Sequence, residues 1–148
     1  MNDPVAMLKK DHREAAAMLK ILADGKPGAR RRSTTKKLDA ALKLHMEIEE
    51  TLVYPLVAKL VARDDAKEAG IEHGLMREML TDVGRLVDEP GFGAAVAMLT
   101  AGIRHHVKEE EQDVFPALKR KLDRQALAEL GDQVKAAKSP KASKKRAA

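Results

Sequence analysis

Apolar residues recur every three or four positions along four segments of the chain, and this spacing places them on one face of an α-helix. Helix stop signals follow the first and third segments, as DGKPG at residues 24–28 and DEPGFG at residues 88–93. The first predicted helix begins at Asp3-Pro4, which supplies an N-cap and a first-turn proline. The other three begin after Ser33–Thr35, near Asp64-Asp65 and before Val96.

Four amphipathic helices with short connections predict an all-α protein, an antiparallel up-down four-helix bundle. Because the chain has only one Tyr, two Phe and no Trp, Ala, Leu, Val and Met must fill its core, which suits packed helices. We assign residues 1–132 to this bundle. A short fifth helix around Arg124–Ala137 is compatible with the pattern, and residues 133–148 are expected to form a basic, disordered tail.

The apolar faces contain polar residues that do not belong in a core. A buried carboxylate without a partner costs several kcal/mol, so two of them require a compensating cation. Adding 61 to the numbers of His12, His45, Glu49 and Pro55 yields a second His, His, Glu and Pro, which indicates a duplicated helix pair. The six residues expected to face inward are His12, His45, Glu49, His73, His106 and Glu110.

These residue types favour a metal site. His and Glu four residues apart lie on one helix face, so both side chains can reach the same ion. The chain has no Cys, and imidazole with carboxylate suits iron, manganese or zinc. Six ligands with two carboxylates able to bridge suit two ions better than one. By affinity alone, zinc or copper would compete with iron.

The motifs resemble those of the hemerythrin-like HHE cation-binding domains. They are DH at 11–12, HMEIEE with YP at 45–55, EH at 72–73, and HVKEEE with FP at 106–116, and the similarity covers Asp3 to Leu122. The resemblance implies a bundle around two iron ions with a bridging oxo or hydroxo group. It assigns the four histidines of the repeat as terminal ligands and its two glutamates as bridges.

The chain departs from the oxygen-carrying hemerythrins. The position of their fifth histidine is Arg77 here, and the corresponding position in the first helix is Ala16. Their fourth-helix Asp, five residues after its His, is replaced by Glu110, four residues after His106. We therefore expect a more symmetric centre with open positions, which binds, senses or detoxifies dioxygen, nitric oxide or peroxide.

Three other functions remain open at this point. The same ligands would serve an oxidoreductase with catalase- or peroxidase-like turnover. They would also serve an iron store or donor. A metal-free helical scaffold with a nucleic-acid-binding tail is the last alternative, and it leaves two buried carboxylates unexplained.

Several neighbouring residues have weaker signals. His105 also begins an HxxxE pair, but the 61-residue repeat selects His106, and we expect His105 to be exposed. Tyr54 corresponds to Phe115 and is expected to pack in the core. Arg77 is expected to reach solvent or a metal-bound anion, and Asp11 and Glu72 are candidates for orienting the imidazoles.

Pro55 and Pro116 should kink their helices or end a turn, because proline cannot donate the helical hydrogen bond. The apolar pattern around the first of them predicts that Leu52 and Leu56 face inward.

The formal net charge of +5 is concentrated in the tail. Residues 133–148 contain six basic and no acidic residues, so residues 1–132 carry 22 basic against 23 acidic residues. Weak, sequence-independent contact of this tail with nucleic acid is one interpretation, with help from Arg30–Lys37, and a solubilising tail is the favoured one. The N-terminal residues lack a signal peptide and no apolar run suits a membrane helix, so we expect a cytoplasmic protein.

Overall fold

The computed structural model describes residues 2–142, and this part of the chain forms seven α-helical and two π-helical segments without a strand. In chain order they are α1 (Pro4–Asp24), α2 (Ala29–Ile48), π1 (Glu49–Val53), α3 (Tyr54–Leu60), α4 (Arg63–Arg85), α5 (Phe92–Glu109), π2 (Glu110–Val114), α6 (Phe115–Lys121) and α7 (Arg124–Ala137). No helix within residues 2–142 combines the length and apolar character needed to cross a bilayer.

The predicted all-α bundle is confirmed. Since α2, π1 and α3 run on without a break, as do α5, π2 and α6, the bundle consists of four long rods: α1, α2–π1–α3, α4 and α5–π2–α6. The first rod packs against α2 and α5, and α4 packs against α2, α3 and α5.

The fifth helix, α7, packs against α1 and π1. It continues through the boundary predicted at Asp132, so that Gln133–Ala137 are helical. Leu130 and Val134 are buried, and a Cβ added at Gly131 would lie 1.7 Å from the backbone oxygen of Asn2, so this close approach requires glycine. Residues 143–148 of the predicted tail lie outside the described residues.

Two helix starts illustrate the local signals. The Asp3 carboxylate accepts hydrogen bonds from the backbone N–H groups of Val5 and Ala6, as an N-cap should. The start of α2 was predicted too late. This helix begins at Ala29, immediately after Gly28, whose φ of 147° favours glycine.

The π segments precede the two prolines and change the register of their rods. In each, an N–H donates to the carbonyl five residues earlier, from Tyr54 to Glu49 and from Phe115 to Glu110. The extra residue in the turn changes which side chains after it face the core. Leu52 and Leu56 are therefore only half-buried, contrary to the prediction, and the buried side chains are those of Val53, Tyr54 and Val57.

Two apolar clusters fill the bundle, one on each side of a polar layer. The first includes Leu19, Leu38, Leu80 and Leu99, and the second includes Leu8, Val57, Phe115 and Val134. The layer between them contains the four histidines and two glutamates of the repeat. This arrangement places the candidate site near the middle of the rods, closed off by apolar side chains at both ends.

Candidate metal centre

The structure brings all six predicted side chains together. Each is buried, with at most 7% of its surface exposed, and Glu49 and Glu110 are 0% and 1% exposed. The donor atoms of His12, His45, Glu49 and Glu110 lie within 4.8 Å of one another, and so do those of Glu49, His73 and His106. Their roles as metal ligands stay a prediction, which the clustering supports.

The half of the layer around His12 and His45 contains unpartnered donor atoms. His12 Nε2 lies 3.2 Å from Glu110 Oε1, and His45 Nε2 lies 3.3 Å from Glu49 Oε1. Four buried atoms here have no hydrogen-bond partner: His12 Nε2, His45 Nε2, Glu49 Oε2 and Glu110 Oε1. Buried polar atoms without partners are rare, and four of them on side chains of one candidate metal group fit a bound cation.

The half around His73 and His106 differs by one hydroxyl group. His73 Nε2 lies 3.1 Å from Glu49 Oε1, and His106 Nε2 lies 3.3 Å from Glu110 Oε1. The Tyr54 hydroxyl lies between them, 3.1 Å and 3.2 Å from the two Nε2 atoms and 2.8 Å from Glu110 Oε2. The prediction that Tyr54 only packs in the core was therefore incomplete.

The two halves are otherwise closely similar. The His12 and His45 rings have centroids 4.9 Å apart at an interplanar angle of 63°, and the His73 and His106 rings are 4.8 Å apart at 62°. The Phe115 ring stacks on His12 with centroids 6.0 Å apart, where Tyr54 approaches His73 at 5.2 Å. The duplicated sequence therefore folds into a pseudo-two-fold site.

Each imidazole is held by a carboxylate on its outer side. The Nδ1 atoms of His45 and His106 donate to Asp11 at 2.8 Å and Glu72 at 2.7 Å, so both candidate residues contact an imidazole. The other two partners were missed: His12 Nδ1 donates to Glu111 and His73 Nδ1 to Glu50, both at 2.7 Å. With Nδ1 engaged outward, Nε2 is the nitrogen left for a metal.

The missed partners did have a signal in the sequence. Glu50 and Glu111 are related by the same 61 residues as the ligand candidates, and each directly follows a candidate bridging glutamate. Their side chains point away from the layer while those of Glu49 and Glu110 point into it.

Basic groups hold three of the outer carboxylates. Arg77 donates two hydrogen bonds to Glu50, each of 2.8 Å, so it contacts an orienting carboxylate. Lys138, beyond α7, donates to Asp11. His105 Nε2 lies 3.1 Å from Glu72, and its side chain is 65% exposed, as predicted.

The electrostatics show how the layer balances its charges without a metal. Burial opposes the charged form of His45, but Glu49 and Asp11 outweigh it and raise its pKa to about 10. Burial likewise opposes the charge on His106, and the carboxylates of Glu110 and Glu49 raise its pKa to about 11. Burial would raise the pKa of Glu49, but the neighbouring histidines hold it well below its usual range. In the metal-free protein, the charge of the buried carboxylates is thus balanced by protonated histidines instead of by a metal cation.

An apolar cavity of about 20 Å³ touches this layer. All four histidines border it, and its remaining walls are mostly aliphatic, with Asp11 the one acidic residue: Asp11, Ala15, Leu42, Met46, Met76, Ile103 and Val107. A volume of this size has room for about one water-sized molecule.

Comparison with known proteins agrees with the site. The sequence profile of the hemerythrin HHE cation binding domain matches residues 3–118. A DNA nickase of Nostoc sp. (strain PCC 7120) is 29% identical over 99 residues, which are 66% of this chain and 28% of that protein. The chain therefore matches less than a third of the length of this relative. No solved structure matches the chain.

Proposed function

Since the chain belongs to the hemerythrin HHE cation-binding domain family, we propose that its buried layer holds two iron ions and binds or detoxifies dioxygen or nitric oxide. The observation that carries this proposal is the small apolar cavity bounded by all four imidazoles. A ligand in this cavity would meet both halves of the site at once.

The donor set suits two ions. One would be held by His12 and His45 and the other by His73 and His106, with Glu49 and Glu110 shared between them. When bound, iron would supply electrons and open coordination positions. The chain itself supplies fixed Nε2 donors, two carboxylates that offset the charge of the ions, and an apolar surround that excludes bulk water.

The lining of the cavity favours a small neutral ligand. Ala15, Met46 and Ile103 offer no hydrogen bond, and the carboxylate of Asp11 is already bound by His45 and Lys138. Dioxygen and nitric oxide need no polar partner to enter such a space, whereas a polar or charged molecule would lose its hydration there.

Catalase-like turnover of peroxide fits this lining less well. Cleavage of peroxide needs a group that takes up and returns a proton, and the carboxylate at the cavity is held in two hydrogen bonds. We expect peroxide decay with the iron-loaded protein to be no faster than with free iron at the same concentration. A rate well above that of free iron would favour the enzyme.

The proposal is tested by filling the cavity. Ala15 lines it and Ala16, the next residue of α1, is exposed, so Ala15→Val and Ala16→Val make a matched pair. We expect Ala15→Val to keep its iron content and to weaken nitric oxide binding to the reduced protein at least tenfold. Ala16→Val should bind nitric oxide as the wild type does. Equal binding by all three proteins would contradict the proposed role of the cavity.

A second candidate function is contact with nucleic acid, which the Nostoc relative named as a DNA nickase and the basic segments favour. Two basic residues of these segments make contacts that are far apart along α1. Lys138 contacts Asp11, whereas Arg31 donates to the carbonyl of Gly25 just after Asp24, about 20 Å from Asp11 along a helix that rises 1.5 Å per residue. Within Arg30–Lys37, Arg32 is paired with Asp88 at 3.1 Å.

The tail is the segment to test. A chain that ends at Ala142 keeps every described residue, whereas one that ends at Asp132 would cut α7. We expect weak, salt-sensitive binding of duplex DNA to the full chain in a filter assay and at least a tenfold loss in the shorter chain. Equal binding by both chains would remove this candidate.

A further inference from the structure

A second HxxxE pair, His105 and Glu109, lies outside the layer, and each of its residues directly precedes one of the pair His106 and Glu110. His105 Nε2 lies 3.2 Å from Glu109 Oε1 and 3.1 Å from Glu72 Oε2. The donor atoms of these three residues lie within 4.8 Å of one another, which is a spacing that a metal ion can bridge. The nitrogen and oxygen donors suit the same divalent metals as the buried layer.

Glu72 connects the outer group with the inner one. Its Oε2 faces His105, and its Oε1 accepts the 2.7 Å hydrogen bond from Nδ1 of His106. A cation at the outer group is therefore one side chain away from an imidazole of the buried layer.

A cavity of about 150 Å³ leads from this surface toward the layer. Five carboxylates line its outer part, and no lysine or arginine does: Asp65, Glu68, Glu72, Glu109 and Asp113. Tyr54, His106 and Glu110, all part of the buried layer, line it as well. A cleft lined by charges of one sign focuses the field and raises the local concentration of counter-ions.

Glu110, one of the candidate ligands of the buried layer, also lines this acidic cavity. It is 1% exposed, and its Oε1 has no hydrogen-bond partner.

We propose that Glu72, His105 and Glu109 capture a hydrated divalent cation at the mouth of this cavity and that its carboxylates pass the ion inward to the buried layer. The volume leaves room for an ion that still carries water, and oxygen ligands along the walls replace that water stepwise. The metal ion thus enters through the acidic cavity, while the small neutral ligand occupies the apolar cavity bordered by Ala15 and Ile103. This inference rests on the proposed metal centre but not on the identity of its gaseous ligand.

The test measures how fast the metal-free full chain takes up Co²⁺, followed by visible absorption in a stopped-flow instrument. Glu68→Gln/Glu109→Gln removes two charges at the cavity and leaves the outer carboxylates of the four imidazoles in place. Glu14→Gln/Glu78→Gln removes two charges from exposed sites elsewhere on α1 and α4 and is the matched control. His105→Gln tests the capture group by itself.

We expect uptake to slow at least tenfold in Glu68→Gln/Glu109→Gln and severalfold in His105→Gln, with the same final cobalt content as the wild type. The control variant should load at nearly the wild-type rate. Equal rates in all variants, with normal final content, would overturn the loading path and leave the metal centre standing. No uptake by the wild type would overturn the centre itself and the path with it.

Discussion

At the scale of single residues, one hydroxyl group breaks the symmetry of the buried layer. Tyr54 and Phe115 occupy equivalent positions in the duplicated sequence, and both rings lie beside a histidine. Only Tyr54 adds an oxygen, which lies 2.8–3.2 Å from Glu110 Oε2 and two Nε2 atoms. Two donors at right angles, each ~2.1 Å from an ion, are roughly 3 Å apart, so this oxygen is placed to be a further ligand.

Tyr54→Phe tests that role, because Phe115 shows that the site accommodates the ring without the hydroxyl. Burial, Glu49 and Glu110 raise the pKa of Tyr54 above its usual range, so the metal-free residue is a neutral phenol and only a cation would favour its ionised form. In the variant, one of two ferric ions should bind at least tenfold more weakly, and a visible absorption band of tyrosine coordination should disappear. An unchanged spectrum would show that the hydroxyl is not a ligand.

Metal binding should depend on pH through His45 and His106. Their pKa values of about 10 and about 11 mean that both imidazoles are protonated near pH 7 in the metal-free protein. Because a metal binds only the neutral imidazole, these protons must leave, and the affinity for metal falls as pH falls. Since each ion displaces one of these protons, its apparent affinity should change by up to about tenfold per pH unit between pH 6 and 8.

That pH dependence can be measured directly. Titration of the metal-free protein with Zn²⁺ in weak buffer, followed with an indicator dye, should release at least two protons per chain when both halves are filled. Release of fewer than one proton, with an affinity that is flat between pH 6 and 8, would show that the histidines are already neutral.

At this scale the sequence could predict the six candidate ligands because two independent copies of the same spacing agree. Asp11 and Glu72 were candidates for orienting the imidazoles, but the sequence did not say which ones: they contact His45 and His106 and not the histidines that follow them in the chain. Glu50 and Glu111 could have been found by the same repeat. The hydroxyl of Tyr54 could not, because its direction depends on how the helix turns after Glu49.

At the scale of helices, the π segments decide which residues face the layer. Proline at position 55 or 116 has no N–H to donate to the carbonyl four residues earlier, so the α-helical ladder is interrupted there. The wider turn keeps Glu49 inward with His45 and also brings Tyr54 inward, which an unbroken α-helix would not do. A kink or the end of a turn was expected at Pro55, but α-helical spacing placed Leu52 and Leu56 on the apolar face, which the wider turn changes.

The variant Pro55→Ala/Pro116→Ala restores both donors and allows the π segments to relax to α-helix. We expect its far-UV circular dichroism to match that of the wild type, while its metal affinity falls at least tenfold because the ligands lose their register. Pro90→Ala, in the exposed connection before α5, is the control and should bind metal normally. Wild-type affinity in the double variant would mean that packing, and not proline, maintains the π segments.

At the scale of the whole molecule, the buried layer lies between the two parts of the core. The layer divides the core into two apolar clusters, so the rods pack at both ends while their middle is left to polar groups. The helix α7 belongs to this unit, since Lys138 holds the Asp11 carboxylate that orients His45. Lys138, which follows α7, is therefore connected through Asp11 to the candidate ligand His45.

The bundle could be predicted because four long amphipathic segments with short connections have few other ways to bury their apolar faces. The docking of α7 could not, because it depends on one close approach between Gly131 and Asn2 and on two buried residues, Leu130 and Val134. Such a short apolar face predicts that the helix packs against the bundle, but it does not predict which helices it contacts.

The most direct measurement is the number of metal ions per chain, by elemental analysis of the untagged full chain purified from iron-replete cells. We predict close to two irons per chain, and a large loss in Glu49→Gln/Glu110→Gln, which removes both shared carboxylates and keeps the shape of their side chains. Little or no metal in the wild type, repeated after anaerobic reconstitution with ferrous iron, would contradict the account and make the buried histidines and glutamates a structural network.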